Sequence, residues 1–341
     1  MSGDAFADIT GQDRAVETLN AAMDSGRVHH AWIFHGPFGV GKMTTARAFA
    51  AALLAPRGGE PIDARHESHP DLHIVTKELA RHSSEQRVRN QKLQSIPKEV
   101  IVERLLTPAA LAPTINADSL AKKVFIVDEA ELLAGIAQNA VLKTLEEPPA
   151  GTVIILITSS EERLLPTIRS RCQRVAFSAL SDEAMREWVQ RAQLDAPAAE
   201  LNWLIDFSRG SPGWLVQAKE AGLADSASVI EPLLQSADAG QFDGRLGSAL
   251  GEFVESWASG WVDRHKADNP SKDAANKVGA ARVLDIISER ARRRLRAADP
   301  GSPECDRAIR DIELVANAQW HINANVNLKL ALENLAAQMS R

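Results

Sequence analysis

Two short runs in this chain combine residue types and spacing that could do chemistry. The first, Gly36-Pro37-Phe38-Gly39-Val40-Gly41-Lys42, has the pattern of a phosphate-binding loop. Gly36, Gly39 and Gly41 permit a tight turn whose backbone N–H groups face phosphate oxygens. Lys42 is placed to reach the β- and γ-phosphates, and the helix that follows turns its positive end to the same anion. The second run, Val124-Phe125-Ile126-Val127-Asp128-Glu129, is apolar and ends in two acids. Asp128 would hold magnesium through water, and Glu129 would polarise an attacking water. One member of the set is missing. Met43 stands where a hydroxyl would bind magnesium, and a thioether is a poor ligand for a hard cation. Thr44 is the nearest hydroxyl and stays among the candidate ligands, although one step along a helix turns a side chain by ~100°. The pattern therefore predicts weak or absent binding of ATP and magnesium, with Glu129 a remnant of a catalytic group.

These motifs need strands before them and helices after them, and the sequence supplies both. Apolar runs at 31–34, 72–75, 123–127, 153–158 and 174–177 alternate with helical patterns. Continuous apolar runs suit strands buried on both faces, so a parallel α/β sheet is expected. Residues 42–54 lack Gly and Pro and are rich in Ala, which predicts a helix after the loop. A second helix is expected over 131–146, ended by Pro148-Pro149.

Beyond Ser178 the strand signal stops. Ser181-Asp182-Glu183 predicts a capped helix start, and 201–207 and 214–221 read as two more helices. Long helices are expected at about 247–266, 275–298 and 303–340, with Asp299-Pro300-Gly301-Ser302-Pro303 as a break. The division is three domains: 1–177 α/β, 178–225 small helical, and 226–341 all-helical.

Thr158-Ser159-Ser160 ends the fourth strand and either senses a γ-phosphate or only terminates the strand. Arg171, within Ser170-Arg171-Cys172, could reach a neighbouring subunit's phosphate; from spacing alone the ordinary surface arginine is the favoured reading. The arginines at 290, 292, 293, 294 and 296 spread around a helix and read as a solvated face. Trp257 and Trp261, four apart, read as core or subunit-interface residues.

The bulk numbers narrow the class. With 341 residues, 45% hydrophobic, 25% charged and a net charge of -6, this is an ordinary globular composition without the basic balance of a dedicated nucleic-acid binder. The N-terminal residues have no apolar core of a secretory signal, and no run approaches ~18 apolar residues. Two cysteines exclude a disulfide framework and a four-cysteine zinc site. A cytoplasmic location is expected.

Four segments together carry a resemblance. His30-Ala31-Trp32-Ile33-Phe34-His35-Gly36-Pro37, Ser68-His69-Pro70-Asp71-Leu72, Asn139 through Pro149 with its Leu-Glu-Glu-Pro-Pro end, and Leu165-Pro166-Thr167-Ile168-Arg169-Ser170-Arg171-Cys172 resemble the AAA+ clamp-loader family of bacterial DNA polymerase III. The likeness is strong over about 1–215. It weakens in the last third, where Asn323, Asn325 and Asn327 before a Leu/Ala-rich helix look like the end of the family's collar. The resemblance implies a RecA-like AAA+ domain, a small helical lid and a helical collar. It implies a ring with motor (tau/gamma) and delta subunits, acting on a sliding clamp and, indirectly, on primer-template DNA, with no membrane. It also implies that Arg171 is an arginine finger offered in trans. Met43, and Pro212-Gly213 where motors carry a nucleotide-sensing Arg, favour the non-hydrolysing stator type over the motor type. The family's four-cysteine zinc module is absent, and His66, His69 and His73 read as a solvated loop with no metal.

Overall fold

Runs that are apolar on both sides cannot face water on either, and the longest of them become strands covered on both faces. The computed structural model describes residues 5–56, 69–91, 93–238, 245–264, 272–324 and 326–340. Its strands are β1 (Ala31–His35), β2 (Leu72–Val75), β3 (Lys123–Val127), β4 (Thr152–Thr158) and β5 (Gln173–Ala176). They form one sheet in the order β2-β3-β4-β1-β5, with every neighbouring pair parallel. All residues of β3 and β4 are buried, whereas β5 at the edge buries only Val175. Trp32 stands edge-on to Phe49 at 5.3 Å, and Phe34 packs against Phe177 at 5.3 Å.

Helices cover the sheet. They are α1 (Asp13–Asp24), α2 (Lys42–Leu54), α3, α4 (Gly135–Glu146) and α5 (Asp182–Arg191). In α3 the outer turns Lys98–Ile101 and Thr107–Ala110 are α and the centre Val102–Leu106 is π. α4 starts four residues later than its apolar stripe suggested, because Ala130–Leu132 forms a 3-10 turn first. α5 has the expected cap, with Ser181 Oγ accepting the Ala184 N–H.

Two buried charges fix the segment between α3 and β3. Asp71 is 1% exposed and accepts the Thr114 and Ile115 N–H groups, each at 2.8 Å. Burial alone would raise its carboxyl, but those two bonds, with the Thr114 side chain and the nearby His69, together outweigh it and hold the group below its ordinary value. Lys123 donates to the Pro108 and Leu111 carbonyls at the end of α3.

The chain divides into two compact units, one of residues 1–195 with 209–214 and one of 196–208 with 215–341. The second holds α6 (Ala198–Ser208), most of α7 (Pro212–Glu220), α8 (Leu223–Asp238), α9 (Arg245–Arg264), α10 (Lys272–Ala297), α11 (Pro303–Asn323) and α12 (Leu328–Met339). These limits differ from divisions at 177 and 225. Residues 178–195 stay with the sheet because Gln12 Nε2 donates to Ser178 O at 2.8 Å and Arg191 donates to Ala7 O at 3.1 Å. Gly11 also leaves room for Leu180, whose Cγ would lie 2.9 Å from a Cβ there.

The 303–340 pattern is two helices, and the final one starts where Asn327 Oδ1 accepts the Leu330 N–H at 3.2 Å; Asn325 lies outside the described residues. The arginine run corrects the solvated-face reading. Arg290, Arg293 and Arg294 share one side of α10. Arg290 pairs with Asp238, Arg293 with Glu231 at 2.6 Å, and Arg294 with Asp238 at 2.9 Å and Asp311 at 3.2 Å. Positions 290, 293 and 294 lie three and four apart, so they form a single ion-paired seam against α8 and α11. Trp257 is 9% exposed and stacks on Trp261 at 6.3 Å. Gly279 brings α10 against it, since a Cβ there would lie 3.2 Å from Trp257 Cε3. No helix among the described residues is long and apolar enough to cross a membrane.

Asp71→Ala removes an acceptor from two N–H groups and is expected to cost about 2–4 kcal/mol in urea unfolding. Because the carboxyl is held below its ordinary value, its contribution is full above the usual carboxylate range and fades as pH falls through the folded value. A loss under about 0.5 kcal/mol at pH 7, well below what two orphaned donors cost, would show that the 111–115 segment does not depend on this carboxylate.

Candidate functional site

The loop between β1 and α2 leaves the carboxyl end of a central strand, where parallel sheets place their ligand crevices. Gly36, Gly39 and Gly41 have φ of 141°, 72° and 102°, a region that favours glycine. Lys42 is 6% exposed. Its Nζ donates to the loop's own carbonyls, Gly36 O at 2.7 Å and Pro37 O at 2.5 Å. Burial pushes this amine down to about 8, against the opposite pull of Glu131 and Asp128.

The outer side of the loop is gripped by the turn that starts α7. Ser211 Oγ donates to Phe38 O at 2.8 Å, and the Gly213 N–H donates to Gly39 O at 2.9 Å. A Cβ on Gly39 would lie 2.4 Å from Ser211 Oγ, and one on Gly213 would lie 2.8 Å from Gly39 Cα. Sequence reasoning noted Gly213 only as a missing arginine. The second role, glycine as the condition for close approach to another glycine, had no signal beyond the Gly-Ser-Pro-Gly run.

Thr44 is exposed on the first turn of α2. Thr45 is buried, and its hydroxyl donates to Gly41 O at 3.0 Å. The loop glycines and Lys42 suit phosphate oxygens. The donor set does not suit magnesium, because Met43 brings sulfur to the ligand position and Thr45 gives its hydroxyl proton to the backbone.

The acidic end of β3 comes to the same place. Burial first, then the Glu129 and Glu131 carboxylates, push the Asp128 carboxyl above its ordinary value; the Glu129 N–H and Lys42 act against them. Glu129 has a left-handed backbone, φ 48° and ψ 46°. Its carboxylate is held by Lys77 Nζ at 2.9 and 2.8 Å. Glu131, not singled out from the sequence, is the second acid acting on Lys42. Glu131 Oε1 accepts the Ser159 N–H at 3.1 Å. Thr158 Oγ1 accepts the Ser160 N–H at 3.0 Å, so these residues terminate β4.

Arg171 lies at the other end of the sheet. Gln173 begins β5 in register with Trp32 of β1. Arg171, two residues earlier, is therefore level with the entry to β1, about 20 Å along the strand direction from Gly36. Its Nη2 pairs with Glu146 Oε1 at 2.7 Å, and Nη1 donates to Thr167 O at 2.9 Å. Cys172 beside it is pushed up to about 12 by burial. The structure thus joins Lys42, Asp128 and the glycines in one place and sets Arg171 apart from them.

Among the described residues no group of three His, Cys, Asp or Glu could hold a metal ion. His73 stacks on Phe125 at 4.7 Å, and His69 Nδ1 accepts the Asp71 N–H at 3.2 Å. His66 lies outside the described residues.

A family model described as DNA polymerase III, delta subunit, matches residues 11–181. The chain is similar to the DNA polymerase III subunit delta' of Pseudomonas aeruginosa, 33% identical over 212 residues, or 59% of this chain and 60% of that protein. It is also similar to the DNA polymerase III subunit gamma/tau of Mycobacterium tuberculosis, 31% identical over 196 residues, or 55% of this chain and 31% of that protein. The chain thus spans under two thirds of these relatives' lengths. A gamma subunit-related protein of Thermotoga maritima aligns over 96% of this chain and 99% of its own, with 20% identity and a TM-score of 0.45.

The Lys42 amine is expected to titrate near pH 8 in the folded chain, read from its side-chain carbon shift. Its folded value lies below the unfolded one, so the folded state sheds this proton first, and stability from this group rises with pH between the two values. A midpoint among the exposed lysines would mean that the amine is hydrated rather than packed on the loop.

Proposed function

Given that this chain belongs to the DNA polymerase III delta-subunit family, we propose that it is a delta-prime-type stator subunit of the clamp loader. In this reading it does not itself hydrolyse ATP. It helps load a sliding clamp on primed DNA and supplies Arg171 as an arginine finger to the ATP site of an adjacent motor (tau/gamma) subunit. The sheet-bearing unit serves as the AAA+ domain, and the helices of the second unit supply the collar that joins it to motor and delta subunits in the cytoplasm.

The observation that carries the reading is the opposite placement of the two motifs. Arg171 sits about 20 Å along the strands from the chain's own loop, so its charge serves a phosphate on another subunit. An arginine so placed offsets charge on a transferring phosphoryl group. The chain's own loop is occupied by internal bonds. Lys42 donates to Gly36 O and Pro37 O, Glu129 is held by Lys77, and Met43 replaces the hydroxyl.

A second reading, a tau/gamma-type motor, is favoured by the comparable identity to gamma/tau relatives. It needs Lys42, Asp128 and Glu129 to turn over ATP.

One experiment separates the two: clamp- and primed-DNA-stimulated ATPase of the reconstituted loader. Arg171→Ala is expected to slow turnover at the neighbouring site by on the order of 10³. Lys42→Ala is expected to lower the chain's unfolding temperature while changing loader turnover by less than about two-fold, the scale of an indirect effect rather than of a lost phosphate ligand. A large turnover loss from Lys42→Ala would favour the motor.

A further inference from the structure

Arg171 already has an anion in the free chain. Its Nη2 lies 2.7 Å from Glu146 Oε1, while Nη1 is tied to Thr167 O at 2.9 Å. The pair borders an open cavity of about 450 Å³ whose lining includes His29, His30, Ser170 and Gln173. Glu146 is the one carboxylate among those lining residues.

We propose that Glu146 competes for Arg171 with the terminal phosphate bound at the adjacent subunit, holding the guanidinium parked and oriented until that phosphate displaces the carboxylate. The inference rests on the reading of Arg171 as a finger in trans and concerns how that finger is regulated.

Three physical points support it. The pair is accessible, with Arg171 36% and Glu146 49% exposed, and ion pairs of this kind are weak and exchangeable. Glu146 is also the last residue of α4, where the helix carbonyls already carry partial negative charge and a carboxylate is disfavoured. Local helix stability therefore gives no reason for an acid at this position, and Arg171 compensates it. Finally, a terminal phosphate carries more charge than a carboxylate and presents more acceptor oxygens to a guanidinium, so it wins the exchange. The Thr167 bond uses Nη1 and Glu146 uses Nη2. The guanidinium can keep the first contact while trading the second, so it meets the phosphate already aimed. Glu146 is thus a positioning residue, acting only through Arg171.

The test is the ATPase of the reconstituted loader at varied ATP, with Glu146→Gln, Arg171→Ala and the double variant in this chain. Glu146→Gln keeps an acceptor and removes the charge. It is expected to lower the ATP KM by about two- to five-fold, the range set by losing a weak competing pair, with kcat unchanged. In the Arg171→Ala background the same substitution should change nothing. The proposal is overturned if Glu146→Gln slows turnover as Arg171→Ala does, since the acid would then be needed to assemble the finger. It is also overturned if Glu146→Gln has no effect while Arg171→Ala slows turnover, or if its KM shift persists without Arg171. If Arg171→Ala itself leaves turnover unchanged, the finger reading fails and this inference fails with it.

Discussion

A parallel sheet has two unlike ends, and this molecule's functional layout follows from that polarity. All five strands run the same way, so every loop leaving a strand lies at one end and every loop entering a strand lies at the other. The phosphate-type loop follows β1 and the acids follow β3, which brings them together. Arg171 precedes β5, which places it at the far end. No side-chain rearrangement moves it between the two, because about 20 Å of strand length separates them. The proposed role in a ring rests on this separation of Arg171 from the loop.

The near half is arranged around a buried amine. A lysine removed from water must find acceptors, and here the loop supplies two of its own carbonyls. Asp128 and Glu131 provide the opposing charge, and their own closeness in turn raises the Asp128 carboxyl after burial has done so. Ser211 and Gly213 then hold the outer side of the loop. The result is an electrostatically closed cluster within a single chain.

Much of this was legible in the sequence, for identifiable reasons. Strands buried on both faces announce themselves as unbroken apolar runs, so β1, β3 and β4 fall within a residue or so of where the runs stand. The start of α4 was misplaced because Leu132 and Leu133 fit the helical stripe while belonging to a 3-10 turn and its end. The arginines of α10 were misread because composition shows charge but not its partners, and Glu231, Asp238 and Asp311 come from two other helices. Asp71 was quoted as part of a motif, yet its task, accepting two N–H groups more than forty residues away, is a tertiary contact that no local pattern encodes.

The persistence of a nucleotide motif in a chain read as non-hydrolysing has a structural basis. A Cβ on Gly36 would lie 2.2 Å from Phe177 O, and one on Gly39 would meet Ser211. Gly41 has open space around it but a φ of 102°, which strains any other residue. Lys42 satisfies two carbonyls and lies in the field of two acids. Packing at Gly36, Gly39 and Lys42, and backbone conformation at Gly41, thus favour these residues whether or not a phosphate is bound. Met43, half-buried on α2, offers sulfur and no hydroxyl, and the helix continues unbroken through it. The loop is therefore held by its own chain, because it is part of what joins β1, α2 and the 211–214 turn into one folded body.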